Sequence, residues 1–242
     1  MASVDVLLPG YSAVSPVGSL GFCGVYLINA NAATEPRRVL FDCGHVGRRR
    51  ALVRALAERE LTPADIDSMV LSHGHWDHIQ NVDLFPRATV FLHAAERRYP
   101  QAPDPDDLAT PAWTKYLLAG LDVREVREGD QVADGVSVIE LPGHTAGSIG
   151  LLTQTEDGRA VLSGDAVSSA RSLQSGQATV AGYNENLARE SVTRVGQLAR
   201  IVFPGHDAPF RVEDGRPAGY PAPPGVLEFR MNGRDILRQQ PS

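Results

Sequence analysis

Four side chains able to hold a metal ion crowd into six positions of this chain: His73, His75, Asp77 and His78, in the run His73-Gly74-His75-Trp76-Asp77-His78. Three more candidates follow, His144, Asp165 and His206, each directly after a glycine (Gly143, Gly164 and Gly205). Neutral imidazole and carboxylate are the usual ligands of Zn²⁺ and related divalent cations. In an irregular loop, the first two histidines of such a run can face one metal while the Asp–His pair faces another. One ion would then take His73, His75 and His144, and the other Asp77, His78 and His206, with Asp165 bridging them. Two cations about 3.5–4 Å apart can share a hydroxide, because metal binding lowers the pKa of water to about 7. A lone histidine carries little weight as a ligand, whereas this grouping carries a great deal.

The elements that must position these groups are strands. Apolar stretches over 69–72, 136–141, 160–163 and 201–203 run directly, or through a Pro-Gly or Gly step, into His73, His144, Asp165 and His206. Strand ends are where layered α/β folds present side chains to a common cleft. Further strands are expected over 4–8, 22–28, 39–41, 88–92 and 149–153, with a Gly/Ser/Pro-rich turn region over 10–21. Asp157-Gly158 reads as the tight turn of a hairpin. The spacing of Leu52, Val53, Leu56 and Ala57 predicts a helix over 48–60, and a second is predicted over 184–199. Thr62-Pro63-Ala64-Asp65 has the form of a helix start, a short turn leading into the strand at 69. The segment 100–111, with four prolines and three aspartates, reads as a loop placed to cover a site. From Glu213 onward the chain is a Pro/Gly-rich tail with weak strand character over 226–231 and 235–239. This pattern predicts two mixed sheets packed together with helices outside.

Composition narrows the classes. With 242 residues, 43% hydrophobic and 21% charged, the chain reads as one soluble globular domain, 1–242, rather than a disordered or fibrous protein. No apolar run approaches the roughly 20 residues of a membrane span, and residues 1–5 lack the pattern of a secretory signal. A net charge of −6 argues against a nonspecific nucleic-acid binder. Two cysteines, Cys23 and Cys43, form no framework, so a reducing cytoplasm is the expected compartment.

The motifs HGHWDH, PGHTAGS, SGD and PGHDAPF, in that order, resemble those of the metallo-β-lactamase-fold hydrolases, from Val4 to about Phe210. The resemblance implies an α/β fold, a four-layer αβ/βα sandwich of two mixed β-sheets with helices on the outer faces and metals at one edge. It assigns ligand roles to His73, His75, Asp77, His78, His144, Asp165 and His206. Asp77 would also act as general base and proton donor. LFDCG matches an early element of the family whose aspartate, here Asp42, lies just behind the ligands. Two divalent ions are implied, zinc by expectation, with iron or manganese as alternatives. Asp165 argues against a true β-lactamase, where Cys or Ser takes that position. The length excludes an added RNA clamp, and the tail does not look like the helical domain of glyoxalase II. The chain is most like a short branch that includes metallo-β-lactamase domain-containing protein one and bacterial lactonases, thioesterases and general hydrolases. The implied reaction is cleavage of a small ester, lactone or thioester by a metal-bridging hydroxide. A metal-dependent phosphodiesterase or ribonuclease, or an iron oxidoreductase, is the alternative. Oxidoreductases of the flavodiiron kind put Glu where His75 stands, which favours hydrolysis. The expected partner is a small molecule and not a membrane, with nucleic acid disfavoured but left open.

Several residues are weaker candidates. His45, Trp76 and Tyr183 could touch substrate, and Trp113 and Tyr116 could cap a pocket. His93 and Cys43 read as structural.

Overall fold

The computed structural model describes residues 1–15, 18–30, 37–180, 182–222, 227–231 and 234–239. Strand β1 (Ser3–Leu8) leads into a hairpin, β2 (Tyr11–Ser15) with β3 (Gly18–Phe22). Then come β4 (Val25–Ala30), β5 (Arg37–Phe41), β6 (Ser68–Val70), β7 (Thr89–His93) and β8 (Val123–Val126). Apart from the hairpin these form a six-stranded sheet in the order β1-β4-β5-β6-β7-β8, antiparallel as far as β5 and parallel beyond it. The second half supplies β9 (Gln131–Ala133), β10 (Val136–Glu140), β11 (Ile149–Thr155), β12 (Gly158–Gly164), β13 (Ile201–Pro204), β14 (Phe210–Glu213) and β15 (Arg216–Gly219). These form a seven-stranded sheet in reverse chain order, with β12 and β13 parallel and the other pairs antiparallel. A last hairpin pairs β16 (Leu227–Met231) with β17 (Arg234–Gln239). The helices are α1 (Arg49–Ala57), α2 (Trp76–Ile79), α3 (Ala94–Arg98), α4 (Thr114–Ala119), α5 (Ala170–Ser175) and α6 (Glu185–Leu198).

Successive side chains of a strand point to opposite faces, so a strand buried on both sides feeds two cores. In β4, Leu27 joins Leu40, Leu52, Leu56 and Met69 beneath α1, while Tyr26 and Ile28 join Phe41, Val138, Leu151 and Phe203 between the sheets. On the far side, Val161 and Val202 of the second sheet pack with Leu173 of α5 and Val192 and Val195 of α6. Three apolar cores in series make four layers, helix–sheet–sheet–helix, as expected. Each large apolar side chain contributes about 1.5–3 kcal/mol when fully buried, so the central strands are held firmly on both faces. Their ends, where the candidate ligands sit, are correspondingly fixed. Among the described residues, no helix is long and apolar enough to cross a membrane.

Several expectations need correction. The turn region over 10–21 contains the β2–β3 hairpin, and the strand expected over 22–28 is broken at Cys23-Gly24. A Cβ on Gly24 would collide with the Tyr26 ring, and the Gly24 amide bonds the carbonyl of Gly205 at 2.6 Å instead of continuing the strand. The helix start at Thr62 is, by contrast, the short turn expected there: a single 3₁₀ turn, Pro63–Asp65, after which the chain enters β6 at Ser68. Its capping box is formed. The hairpin near Asp157 exists, but its loop is Glu156-Asp157, and Gly158 (φ 104°) already pairs with Thr155. In the tail, β15 pairs with β14 and extends the second sheet, against expectation, whereas β16 and β17 fall where strand character is expected. Position 226 of the expected 226–231 strand lies outside the described residues.

Candidate metal centre

The site begins with a tight turn at the end of β5. Asp42 adopts φ 57°, a left-handed conformation that Asp tolerates better than most residues. This turns its carboxylate beneath the loop after β6. Asp42 Oδ1 accepts the Ser72 amide at 2.7 Å, and Oδ2 accepts the Ser72 hydroxyl at 2.9 Å and lies 2.8 Å from His78 Nδ1. The amides of Cys43 and Gly44 both donate to the His78 carbonyl, at 2.9 and 3.2 Å. Fully buried Asn81 donates to the carbonyls of Cys43, Gly44 and His45 at 2.9–3.0 Å. The β5 turn and the histidine-rich loop are thus one hydrogen-bonded unit.

The other ligands arrive from the second sheet. His144, after β10, places Nε2 3.0 Å from His75 Nδ1 and directs Nδ1 at the Val180 carbonyl, 3.0 Å away. Asp165 directly follows β12: Oδ2 lies 3.1 Å from His206 Nε2 and 3.5 Å from His144 Nε2, and Oδ1 lies 3.4 Å from His78 Nε2. His206, after β13, also faces Asp77 Oδ2 at 3.6 Å. Three trios have ligand atoms all within 4.8 Å of one another: His73 with His75 and His144, Asp77 with His78 and His206, and His73 with His78 and Asp165. All seven residues expected to ligate come together. Cys23, Asp42 and His78 form a further trio, but burial pushes the Cys23 thiol up to about 12, the opposite of an activated thiolate.

The donor set fits cations on its own chemistry. His73 Nε2, His78 Nε2 and Asp165 Oδ1 are buried without a hydrogen-bond partner, and a buried polar atom left unpaired costs about 1–3 kcal/mol. These are the atoms pointing into the cluster. Burial holds His73 well below the ordinary imidazole range and His144 at about 4, so both present the neutral, ligating form. At His206 burial acts the same way, but facing Asp165 and Asp77 outweigh it and raise the value. Burial opposes ionisation of Asp165, yet His206 and His78 hold its carboxyl well below the usual range. Five imidazoles around two carboxylates form a nest for positive charge.

Two further features brace the ligand loops through contacts that the local sequence does not show. Glu96, on α3 and 2% exposed, accepts the Gly74 amide at 2.9 Å through Oε2 and the Gly147 amide at 2.8 Å through Oε1. One carboxylate therefore ties the histidine-rich loop to the loop carrying His144. Gly205 lies so close to Asp165 that a Cβ there would collide with Oδ1. The sequence shows Glu96 only as one acidic residue among many, since its two partners lie 22 and 51 positions away.

The weaker candidates divide. His45 Nδ1 accepts the Gly47 amide, and its ring stands edge-on to Trp76 and Phe22, centroids 4.9 Å apart in each case. Tyr11 packs on Phe22 at 5.0 Å, so the β2–β3 hairpin, Trp76 and His45 build an aromatic wall. It stands beside the ligands, since a Cβ on Gly21 of β3 would come within 3.2 Å of Asp77 Oδ2 and 3.4 Å of His206 Cε1. Tyr183 is 60% exposed and anchored through its amide to the Gly143 carbonyl. Trp113 and Tyr116 are exposed at α4, Tyr116 facing Lys115. His93 caps α3 by accepting the Ala95 amide, and Cys43 is buried against the His78 carbonyl, both structural positions.

The sandwich and the convergent donors define a metal-dependent hydrolase. The chain belongs to the metallo-beta-lactamase superfamily, whose family model matches residues 18–206. It is 31% identical over 218 residues to metallo-beta-lactamase domain-containing protein 1 of Xenopus laevis, covering 87% of this chain and 82% of that one. The human protein of that name is 33% identical over 207 residues, covering 82% and 66%. An N-acyl homoserine lactonase of a Bacillus species is 27% identical over 161 residues, covering 64% and 62%. Among solved structures, a metallo-beta-lactamase-like protein of Thermotoga maritima superposes with a TM-score of 0.66 at 22% identity, covering 87% of this chain and 99% of that one. An N-acyl homoserine lactone hydrolase with product bound at its catalytic metal centre gives 0.65 at 20% identity, covering 85% and 92%.

Proposed function

We propose that the chain is a dinuclear zinc hydrolase of a small ester, lactone or thioester. One ion would be held by His73, His75 and His144, the other by Asp77, His78 and His206, with Asp165 between them. The observation that carries this reading is the convergence of seven side chains able to ligate, three of whose atoms, His73 Nε2, His78 Nε2 and Asp165 Oδ1, are buried without a hydrogen-bond partner. When bound, divalent cations polarise a carbonyl oxygen and lower the pKa of water to about 7. Asp77 stands where a proton must move: Oδ2 lies 3.6 Å from His206 and 3.8 Å from His78, and the side chain is 11% exposed at the mouth. It takes the proton from water and returns it to the leaving group. Asp42 holds the ring of His78. The wall of Phe22, His45 and Trp76 excludes water beside Asp77 and receives an apolar part of the substrate. Tyr183, anchored next to His144, offers a hydroxyl to the oxygen that develops charge.

The lactonase relative and the product-bound lactone hydrolase support a carbonyl substrate, and the net charge of −6 weighs against RNA. A panel of lactone, thioester, bis-(p-nitrophenyl) phosphate and short RNA, assayed with the zinc-loaded chain, tests the assignment. Turnover confined to the carbonyl substrates is expected, and turnover of the phosphodiesters alone would overturn it. Asp77→Asn is expected to lower kcat by about 10²–10⁴ while at least one metal is retained; full activity in that variant would remove Asp77 from its role.

A further inference from the structure

Within the largely exposed segment of residues 104–108, Asp107 turns inward: its side chain is 18% exposed, whereas neighbouring Leu108 is 88% exposed. The two carboxylate oxygens have different partners. Oδ1 accepts the Ala109 amide at 2.9 Å, which fixes the side chain against its own loop. Oδ2 faces His75 Nε2 at 3.7 Å, an ion-pair distance. The loop makes a second attachment at the next residue of the ligand run, where the Trp76 amide donates to the Ala109 carbonyl at 3.0 Å. His75 meanwhile presents its other nitrogen, Nδ1, to the ligand cluster, 3.0 Å from His144 Nε2.

An imidazole that ligates through one nitrogen carries its proton on the other, and the acceptor of that proton fixes both tautomer and ring orientation. Asp107 Oδ2 is the acidic oxygen facing that nitrogen. We propose that Asp107 is a positioning residue for His75, and that through it the 104–111 loop is built into the metal centre. This rests on the reading of His75 as a ligand. Coupling of this kind is reciprocal, so the loop steadies the metal and the metal steadies the loop.

The test uses the full chain loaded with zinc. Zinc release to an excess of chelator should be about 10–100-fold faster in Asp107→Asn than in the wild type, as for other residues that orient a ligand. Asp107→Ala should release zinc at least as fast. In hydrogen–deuterium exchange, zinc should slow the amides of residues 104–111 in the wild type and lose that effect in Asp107→Asn. Leu108→Ala, which alters the same loop without touching the carboxylate, should behave as wild type in both measurements. Wild-type release and an unchanged exchange response in Asp107→Asn would overturn the proposal while leaving the metal centre standing. A wild-type chain that binds no zinc would overturn both readings.

Discussion

Asp42 shows how much a single buried carboxylate governs here. Both its oxygens are used, on the Ser72 amide, the Ser72 hydroxyl and the His78 ring. Asp42→Ala strands the Ser72 amide and frees the His78 ring, so unfolding in denaturant should show a loss of about 1–3 kcal/mol. Zinc titration should show metal affinity falling by about 10–100-fold. Asp42→Asn separates the two roles, because Asn also tolerates the left-handed backbone but offers one acceptor fewer. Its stability should lie between those of the wild type and the alanine variant, with metal affinity still reduced. Equal affinity in all three would mean that Asp42 only closes the turn. The seven side chains that converge could be picked out from residue type and spacing. Asn81 and Glu96 could not, because a buried amide or carboxylate is identified by what it bonds, and those partners lie elsewhere in the chain.

At the scale of elements, the ligand loops are positioned by strands buried on two faces and by ties between loops. Glu96 is such a tie, with the Gly74 amide on one oxygen and the Gly147 amide on the other. In Glu96→Gln the amide NH₂ must oppose one of those N–H donors. A stability loss of about 1–3 kcal/mol is expected by chemical denaturation, together with weaker zinc binding through His144. Gly205→Ala drives a methyl group into Asp165, and such overpacking costs about 1–3 kcal/mol. Metal analysis should then find less than the wild-type complement of zinc, and an unchanged complement would show that Asp165 is dispensable for binding. The apolar runs before His73, His144, Asp165 and His206 identified their strands because each fills a core. The β2–β3 hairpin was obscured by its Gly and Ser content, and β14–β15 by Pro and Gly near Glu213. In both cases pairing with a neighbouring strand, not local composition, makes the structure.

For the whole molecule, the metal centre is where the two halves meet. His73, His75, Asp77 and His78 come from the first sheet, and His144, Asp165 and His206 from the second. The Tyr26 hydroxyl reaches the Pro204 carbonyl across the same seam at 2.6 Å. A cation bound there cross-links the halves and favours the folded state by mass action. At free zinc 100 times the dissociation constant the gain is about 2.7 kcal/mol, which for a chain of this size raises Tm by about 5–10 °C. Differential scanning calorimetry with chelator and then with restored zinc should show this shift reversibly. A Tm indifferent to metal would mean the site does not bind it in the folded chain.

What the sequence determined by itself was the chemistry: which side chains can ligate, and that the four segments carrying them each follow an apolar strand. Those properties depend on residue type and short spacing, which folding does not change. Only the tertiary structure decided that Glu96 braces two loops, that Asp107 faces His75, and that an aromatic wall from residues 11, 22, 45 and 76 stands beside Asp77. These are pairings between positions tens of residues apart. They come into being when the two sheets pack and bring their strand ends to one edge.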